Sequence, residues 1–352
     1  MAELDDALAE VLARYGIDAG GARVEPIAIG LINRTLRVED AAGTRVVQRL
    51  HPIFAPEVNL DIEAITAHLA RRGVSTPRLL RTIDGAAFVR DEAGATWRAL
   101  TFVPGETLAR VSEPWIAAAA GRAVGELHRA LSDLRHTFHF ARPGAHDTPA
   151  HLAALARALA EHASHPRHAR IEPLGRAILA HAEALASLPP TPVRIIHGDL
   201  KITNLLFDLG RREATAIVDL DTMAASSLPI ELGDAFRSWC NPGGEDDAEA
   251  RFSAEIFEAA ISAYAERAGA LLTPEERSSI VLGVETIALE LSARFCADAL
   301  IERYFGWDAA RFTTRGEHDE LRARSQLAVA RSVRLQRRAL EALVARAFAR
   351  GG

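Results

Sequence analysis

Two short apolar runs around a polar loop constrain this 352-residue chain more than any other feature. Ile195-Ile196 leads into His197-Gly198-Asp199-Leu200-Lys201-Ile202-Thr203-Asn204, and Leu205-Leu206-Phe207-Asp208 follows. A second run, Ala216-Ile217-Val218, ends on Asp219-Leu220-Asp221. Apolar runs bounded by turn-forming residues predict strands. The segment therefore reads as strand, loop, strand and acidic turn. Four residues separate Asp199 from Asn204, so one loop presents a carboxylate and an amide to the same small volume.

These residue types suit the transfer of a phosphoryl group. The spacing from Asp199 to Asn204 is that of the loop H-R-D-L-x-x-x-N. A carboxylate at Asp199 would orient an attacking hydroxyl and accept its proton. Asn204 and Asp219 offer hard oxygen donors of the kind Mg2+ prefers. Asp and Asn also favour turns on their own account, but the Asp-Leu-Asp stretch at this distance makes a plain hairpin the weaker reading. Lys201 is the only lysine among 41 basic residues; the others are arginine. A compact ammonium and a planar guanidinium are not interchangeable beside a phosphate. Lys201 is therefore expected to contact the transferred group.

Length predicts two lobes, placed at 1–103 and 104–352. The first would bind nucleotide; the second would hold the catalytic loop, metal site and acceptor pocket. A net charge of −6 argues against nucleic acid as a partner, because binding a phosphate backbone needs a basic surface. Two cysteines, Cys240 and Cys296, suggest no disulfide framework, which points to a reducing cytoplasm. No run approaches the roughly 18 apolar residues of a membrane span. The acidic start, Met1 to Asp6, lacks a signal-peptide pattern.

Leu4, Leu8, Val11 and Leu12 predict an amphipathic helix over 3–15. Val24–Ile29 and Thr35–Val38 then flank a turn at Gly30-Leu31-Ile32-Asn33, and Arg45–Leu50 forms a third strand. In a nucleotide-binding lobe Gly30 and Asn33 would cover the phosphates, and Arg49 would offer them a cation. A helix over 57–72 would aim Glu63, or in reserve Asp61, at Arg49. Further strands are expected near 78–80, 87–90 and 97–102, ending in a hinge at Val103-Pro104-Gly105. Backbone groups of Ala99, Thr101 and Phe102 would meet an adenine there.

Beyond Ser112, a candidate cap, the chain reads as mainly helical, starting with 115–131. Seven of the 13 histidines fall between 136 and 168, where a solvated or substrate-facing insertion is a better reading than a metal site. Asp234, in Glu231–Arg237, is expected to support the catalytic loop. Thr273-Pro274-Glu275-Glu276 is a strong helix start. Its helix carries Glu290, Arg294 and Asp298 four apart, a charge ladder or a polar wall of the acceptor pocket. Arg315 onward reads as a last, arginine-rich helix.

Together, His197-Gly198-Asp199 through Asn204, Asp219 and Gly233-Asp234 resemble the aminoglycoside phosphotransferase and choline kinase superfamily. A finer likeness, to N-acetylhexosamine 1-kinases, rests on Gly30–Asn33, Val47–Leu50 with His51 and Phe54, Val218–Thr222, Arg294-Phe295, Glu317-His318 and Arg322–Gln326. The resemblance implies an α+β, protein-kinase-like two-lobed fold, with a small β-rich N-lobe and a larger, mainly helical C-lobe. It also implies ATP and Mg2+ as cofactors, Asp199 as base, and Asn204 and Asp219 as metal ligands. Residues 132–190 match poorly, which leaves the acceptor open; candidates for contacting it are His197, Asp221, Arg294 and Asp298.

The leading expectation is a kinase for the anomeric hydroxyl of a hexose or N-acetylhexosamine. Cationic aminoglycosides want a strongly acidic pocket, which the arginine-rich C-terminal segment disfavours. Choline-type acceptors want an aromatic cage, and the chain is only 6% aromatic. Homoserine-type acceptors and a non-catalytic nucleotide-binding module remain as alternatives.

Overall fold

The computed structural model describes residues 6–27, 33–140 and 144–350. Gly30, expected over the phosphates, lies outside them. Helix α1 (Asp6–Arg14) buries Leu8, Val11 and Leu12, the stripe its periodicity predicts. Strands β1 (Arg23–Pro26), β2 (Arg34–Asp40) and β3 (Gly43–Arg49) follow, then helix α2 (Val58–Arg71) and strands β4 (Leu79–Leu80), β5 (Val89–Arg90) and β6 (Thr96–Thr101). They form one antiparallel sheet in the order β1-β2-β3-β6-β4, with β5 also on β6. Side chains alternate between sheet faces. Leu36, Val38, Val47, Trp97 and Ala99 therefore share the face that α1 covers, and these residues make a small core of their own.

Helix α2 turns Ile62, Ile65 and Leu69 toward the other, larger core. Strand β7 (Glu106–Thr107) leads into α3 (Pro114–Leu131), which starts after Glu113 in extended backbone, one residue past the cap expected at Ser112. The histidine-rich segment and the residues after it build α4 (Thr148–Glu161) and α5 (His168–Glu183). Next come β8 (Arg194–Ile196), β9 (Leu205–Asp208), β10 (Glu213–Ile217) and β11 (Ala224–Ser226). They form the small sheets β10-β9-β7 and β11-β8, which carry the polar loop between them.

Helices α6 (Leu228–Trp239), α7 (Ala254–Ala268), α8 (Pro274–Ile301) and α9 (Arg315–Arg350) complete the larger lobe. Helix α8 begins as its sequence predicts. Thr273 Oγ1 accepts the Glu276 N–H at 3.2 Å, and Glu276 Oε2 accepts the Thr273 N–H at 2.8 Å. Helices α6 and α8 meet backbone to backbone. A Cβ on Gly233 would come 2.5 Å from Gly283 O, and one on Gly283 would come 2.0 Å from Pro229 O. That close approach fixes α6 on α8. No described helix is long and apolar enough to cross a membrane.

Candidate active site

The polar loop is held rigidly from below. Gly198 has φ +82°, and a Cβ there would lie 2.4 Å from Thr222 O, so glycine is required on both counts. The backbone N–H groups of His197 and Gly198 donate to Glu231 Oε1 and Oε2 at 2.7 and 2.9 Å. Trp239 Nε1 donates to Leu200 O at 2.7 Å. Burial alone would raise the Glu231 carboxyl, but His128 and the Gly198 N–H hold it below its ordinary range. Glu231, not Asp234, therefore supports this loop; Asp234 Oδ1 is engaged by Arg237.

On this platform Asp199, Lys201, Asn204 and Asp219 converge. Lys201 Nζ lies 2.8 Å from Asp199 Oδ2, and Asn204 Nδ2 donates to Asp199 O and Oδ2 at 2.8 and 3.1 Å. Burial would raise the Asp199 carboxyl, yet the Lys201 ammonium keeps it below its ordinary value. The Val218 N–H donates to Asn204 O at 2.9 Å, which brings Asp219 alongside. Asp219 adopts left-handed backbone, φ 64° and ψ 61°. Burial, then the negative charges of Asp221 and Asp199, push its carboxyl up to about 6. Negative charge thus accumulates around Asp219. Because Asn204 donates through Nδ2, its Oδ1 stays available, and this amide oxygen with the Asp219 carboxylate makes a donor set that fits a hard divalent ion.

The small lobe reaches this site differently from the expected way. Arg49 pairs across the sheet with Trp97 and shares its face. It lines an open hollow with Arg34, His51 and Arg90, whose walls include none of Asp199, Asn204 or Asp219. Glu63 does not pair with Arg49, since Arg81 holds both its oxygens at 2.7 and 2.6 Å. Asp61 is engaged by the loop after α3. The cation on the opposite sheet face is Arg98. Its Nε donates to Gln48 Oε1 at 2.8 Å, and its two terminal nitrogens bond Asp221 at 2.5 and 2.8 Å. Asn33 Nδ2 donates to Asp221 Oδ2 at 2.7 Å, while Asn33 Oδ1 accepts the His51 N–H. Asn33 and Asp221 thus join the sheet to the acidic turn, and their side chains are spent there instead of on cofactor or acceptor.

A family model described as the phosphotransferase enzyme family matches residues 23–270. The chain belongs to this family. Asp199, Lys201, Asn204, Asp219 and Glu231 all fall inside the matched span. A homoserine kinase of Methylobacterium nodulans is 28% identical over 302 residues, 85% of this chain and 86% of that protein. Among solved structures, an amicoumacin kinase in complex with AMP-PNP and Ca2+ superposes with a TM-score of 0.63 at 13% identity, covering 93% of this chain and 94% of that one. A microcompartment-associated aminopropanol kinase gives 0.62 at 18%, covering 94% and 97%. The two-lobed kinase fold is thereby shown, and the chain is a small-molecule kinase.

The remaining expected contacts of this phosphotransferase sort by what holds them. His197 is fully buried; its Nε2 sits 3.0 Å from Val218 O, so it ties two loops together and faces no acceptor. Asp298 accepts the backbone N–H groups of Arg303, Tyr304 and Phe305, closing the turn after α8. Arg294 lies over the rings of Tyr304 and Phe305. The Thr101 N–H, expected at the adenine, donates to Arg78 O, and Ala99 is ladder-paired with Val47 and Leu80. Phe102 follows the strand, its ring 5.1 Å from the Arg37 guanidinium. Beside Lys201 stands Asp234, whose Oδ2 is buried with no partner among the described residues. Farther out, Glu290 accepts from Thr148 Oγ1 at 2.6 Å and lies 3.1 Å from His146 Nδ1. Although burial alone would lower it, Glu290 followed by Asp234 keeps the His146 imidazole above its ordinary value.

Proposed function

We propose that the protein transfers the γ-phosphoryl group of ATP, with Mg2+, to a hydroxyl of a small polar acceptor. The convergence of Asp199, Asn204 and Asp219 on one rigid loop system carries this reading. Asp199 orients the acceptor hydroxyl and takes its proton as the new O–P bond forms and the β–γ bridge bond breaks, releasing ADP. Lys201, next to Asp199, meets the transferred group with positive charge. Asn204 and Asp219 would hold Mg2+, which when bound neutralises phosphate charge. The complex of the amicoumacin kinase with AMP-PNP and Ca2+ supports use of a nucleotide and a divalent ion.

The first acceptor reading is the anomeric hydroxyl of a hexose or N-acetylhexosamine. It is supported by the sequence resemblance and by a polar wall with Asp234, His146 and Glu290 that can serve several hydroxyls. An amino alcohol or homoserine-type acceptor has support of its own: the 28% identical homoserine kinase and the aminopropanol kinase fold. Asp234 and Glu290 suit an ammonium group, and Arg294 suits a carboxylate. ADP release measured with hexoses, N-acetylhexosamines, homoserine and simple amino alcohols separates the two readings. Turnover on sugars alone supports the first, and turnover on amino alcohols alone supports the second.

A further inference from the structure

The histidine-rich segment contributes two imidazoles to a cluster apart from the phosphoryl-transfer site. Asp61, in the first turn of α2, lies 2.8 Å through Oδ1 from His136 Nε2 and 2.9 Å from His139 Nδ1. The same oxygen accepts the His139 N–H at 2.9 Å, and Oδ2 accepts the Phe140 N–H at 3.0 Å. Three donors thus crowd one carboxylate oxygen that has two lone pairs. Asp61 and His136 are 5% and 9% exposed, whereas His139 is 51% exposed and leaves a path to solvent. The carboxylate and two imidazole nitrogens all lie within 4.8 Å of one another, the one such group among the described residues.

The geometry points to a divalent transition-metal site of the zinc type, with Asp61, His136 and His139 as ligands and solvent completing the shell. Imidazole with a carboxylate is a donor set that zinc, cobalt and nickel accept. Zinc bonds of about 2.0–2.2 Å to N and O ligands need donor atoms roughly 3 Å apart, the spacing of Asp61 Oδ1 from each imidazole nitrogen. The backbone N–H groups of His139 and Phe140 orient the carboxylate, as partners behind a metal ligand do. The site joins α2 to the loop after α3, which continues to His146 and Thr148 at Glu290. Zinc there cross-links α2 to the loop after α3, whatever the acceptor.

The test uses the full chain, stripped with a chelator and held in excess Mg2+ so that the hard-oxygen site is not scored. Zn2+ is titrated against a chromophoric chelator, and Co2+ is followed by its visible ligand-field bands. We expect one Zn2+ per chain, a rise in melting temperature with Zn2+, and Co2+ bands of a four- or five-coordinate ion. Loss of an outer partner already costs about 10–100-fold in metal affinity, so His139→Ala and His136→Gln should each cost about 100-fold or more. His162→Ala serves as the control and should leave binding unchanged. His139 is half exposed, so its truncation is compatible with folding, which circular dichroism without metal checks. A stoichiometry well below one, or Zn2+ affinity unchanged in His139→Ala, overturns the site.

Discussion

Asp199 and Asp219 have carboxyls displaced in opposite directions by their neighbours, and their substitutions should behave differently. Asp199→Asn removes the group that takes the proton, so turnover in an ADP-release assay should fall about 10²–10⁴-fold. Asp219 sits at about 6 in the fold against an ordinary 3.8. A raised carboxyl makes the folded state bind more protons, so it lowers stability at high pH and ceases to as pH falls through 6 toward 4. Asp219→Asn should therefore stabilise the ligand-free protein by about 1–2 kcal/mol at pH 7, allowing for partial exposure. That gain should shrink at pH 4.5 in thermal melts, while turnover is lost at every pH. Lys201→Arg should lower turnover by about 10- to 100-fold if a compact ammonium is needed at the phosphate. Asp199, Lys201 and Asn204 were legible because one loop carries them at fixed spacing, with Asp219 at the end of the next strand. Glu231 was not, since an acid in the first turn of a helix reads equally well as a partner of the helix dipole.

At the scale of elements, strand alternation decided what spacing alone could not. Val47 and Arg49 share one face of β3 while Gln48 points to the other, so the cation that meets the acidic turn comes from β6 as Arg98. A lone arginine between Trp97 and Ala99, in an otherwise uncharged strand, was the available signal. The Arg98–Asp221 pair is 2% and 0% exposed. Removing one partner leaves the other charge buried, so Asp221→Asn should destabilise the fold by about 3–5 kcal/mol in urea unfolding. Replacing both partners with apolar residues should recover much of that loss, and a double-mutant cycle reads the coupling. Helices α1 and α8 were legible from an apolar stripe and a capping box. The turn closed by Asp298 was not, because a residue in an i, i+4 charge ladder gives no sign that its carboxylate accepts backbone N–H groups downstream.

Across the molecule, the sheet and α1 share a small core, and most helices share a larger one that includes α2. The site lies where the Arg98 brace crosses from one to the other. A ligand bound only by the folded state stabilises it by about 2.7 kcal/mol at a hundredfold excess over Kd. AMP-PNP with Mg2+ should therefore raise the melting temperature of the wild type, and the rise should vanish with a chelator or in Asp219→Asn. The family and the two-lobed fold were readable because their motifs are local, whereas Thr148, Asp234 and Glu290 come from α4, α6 and α8 and have no contiguous signature. The most direct test measures ADP formation over a panel of hexoses, N-acetylhexosamines, aminoglycosides and amino alcohols, with wild-type protein and Asp199→Asn in parallel. The account predicts acceptor-dependent ADP release on at least one class, lost about 10²-fold or more in the variant. Wild-type turnover that Asp199→Asn retains in full would contradict it.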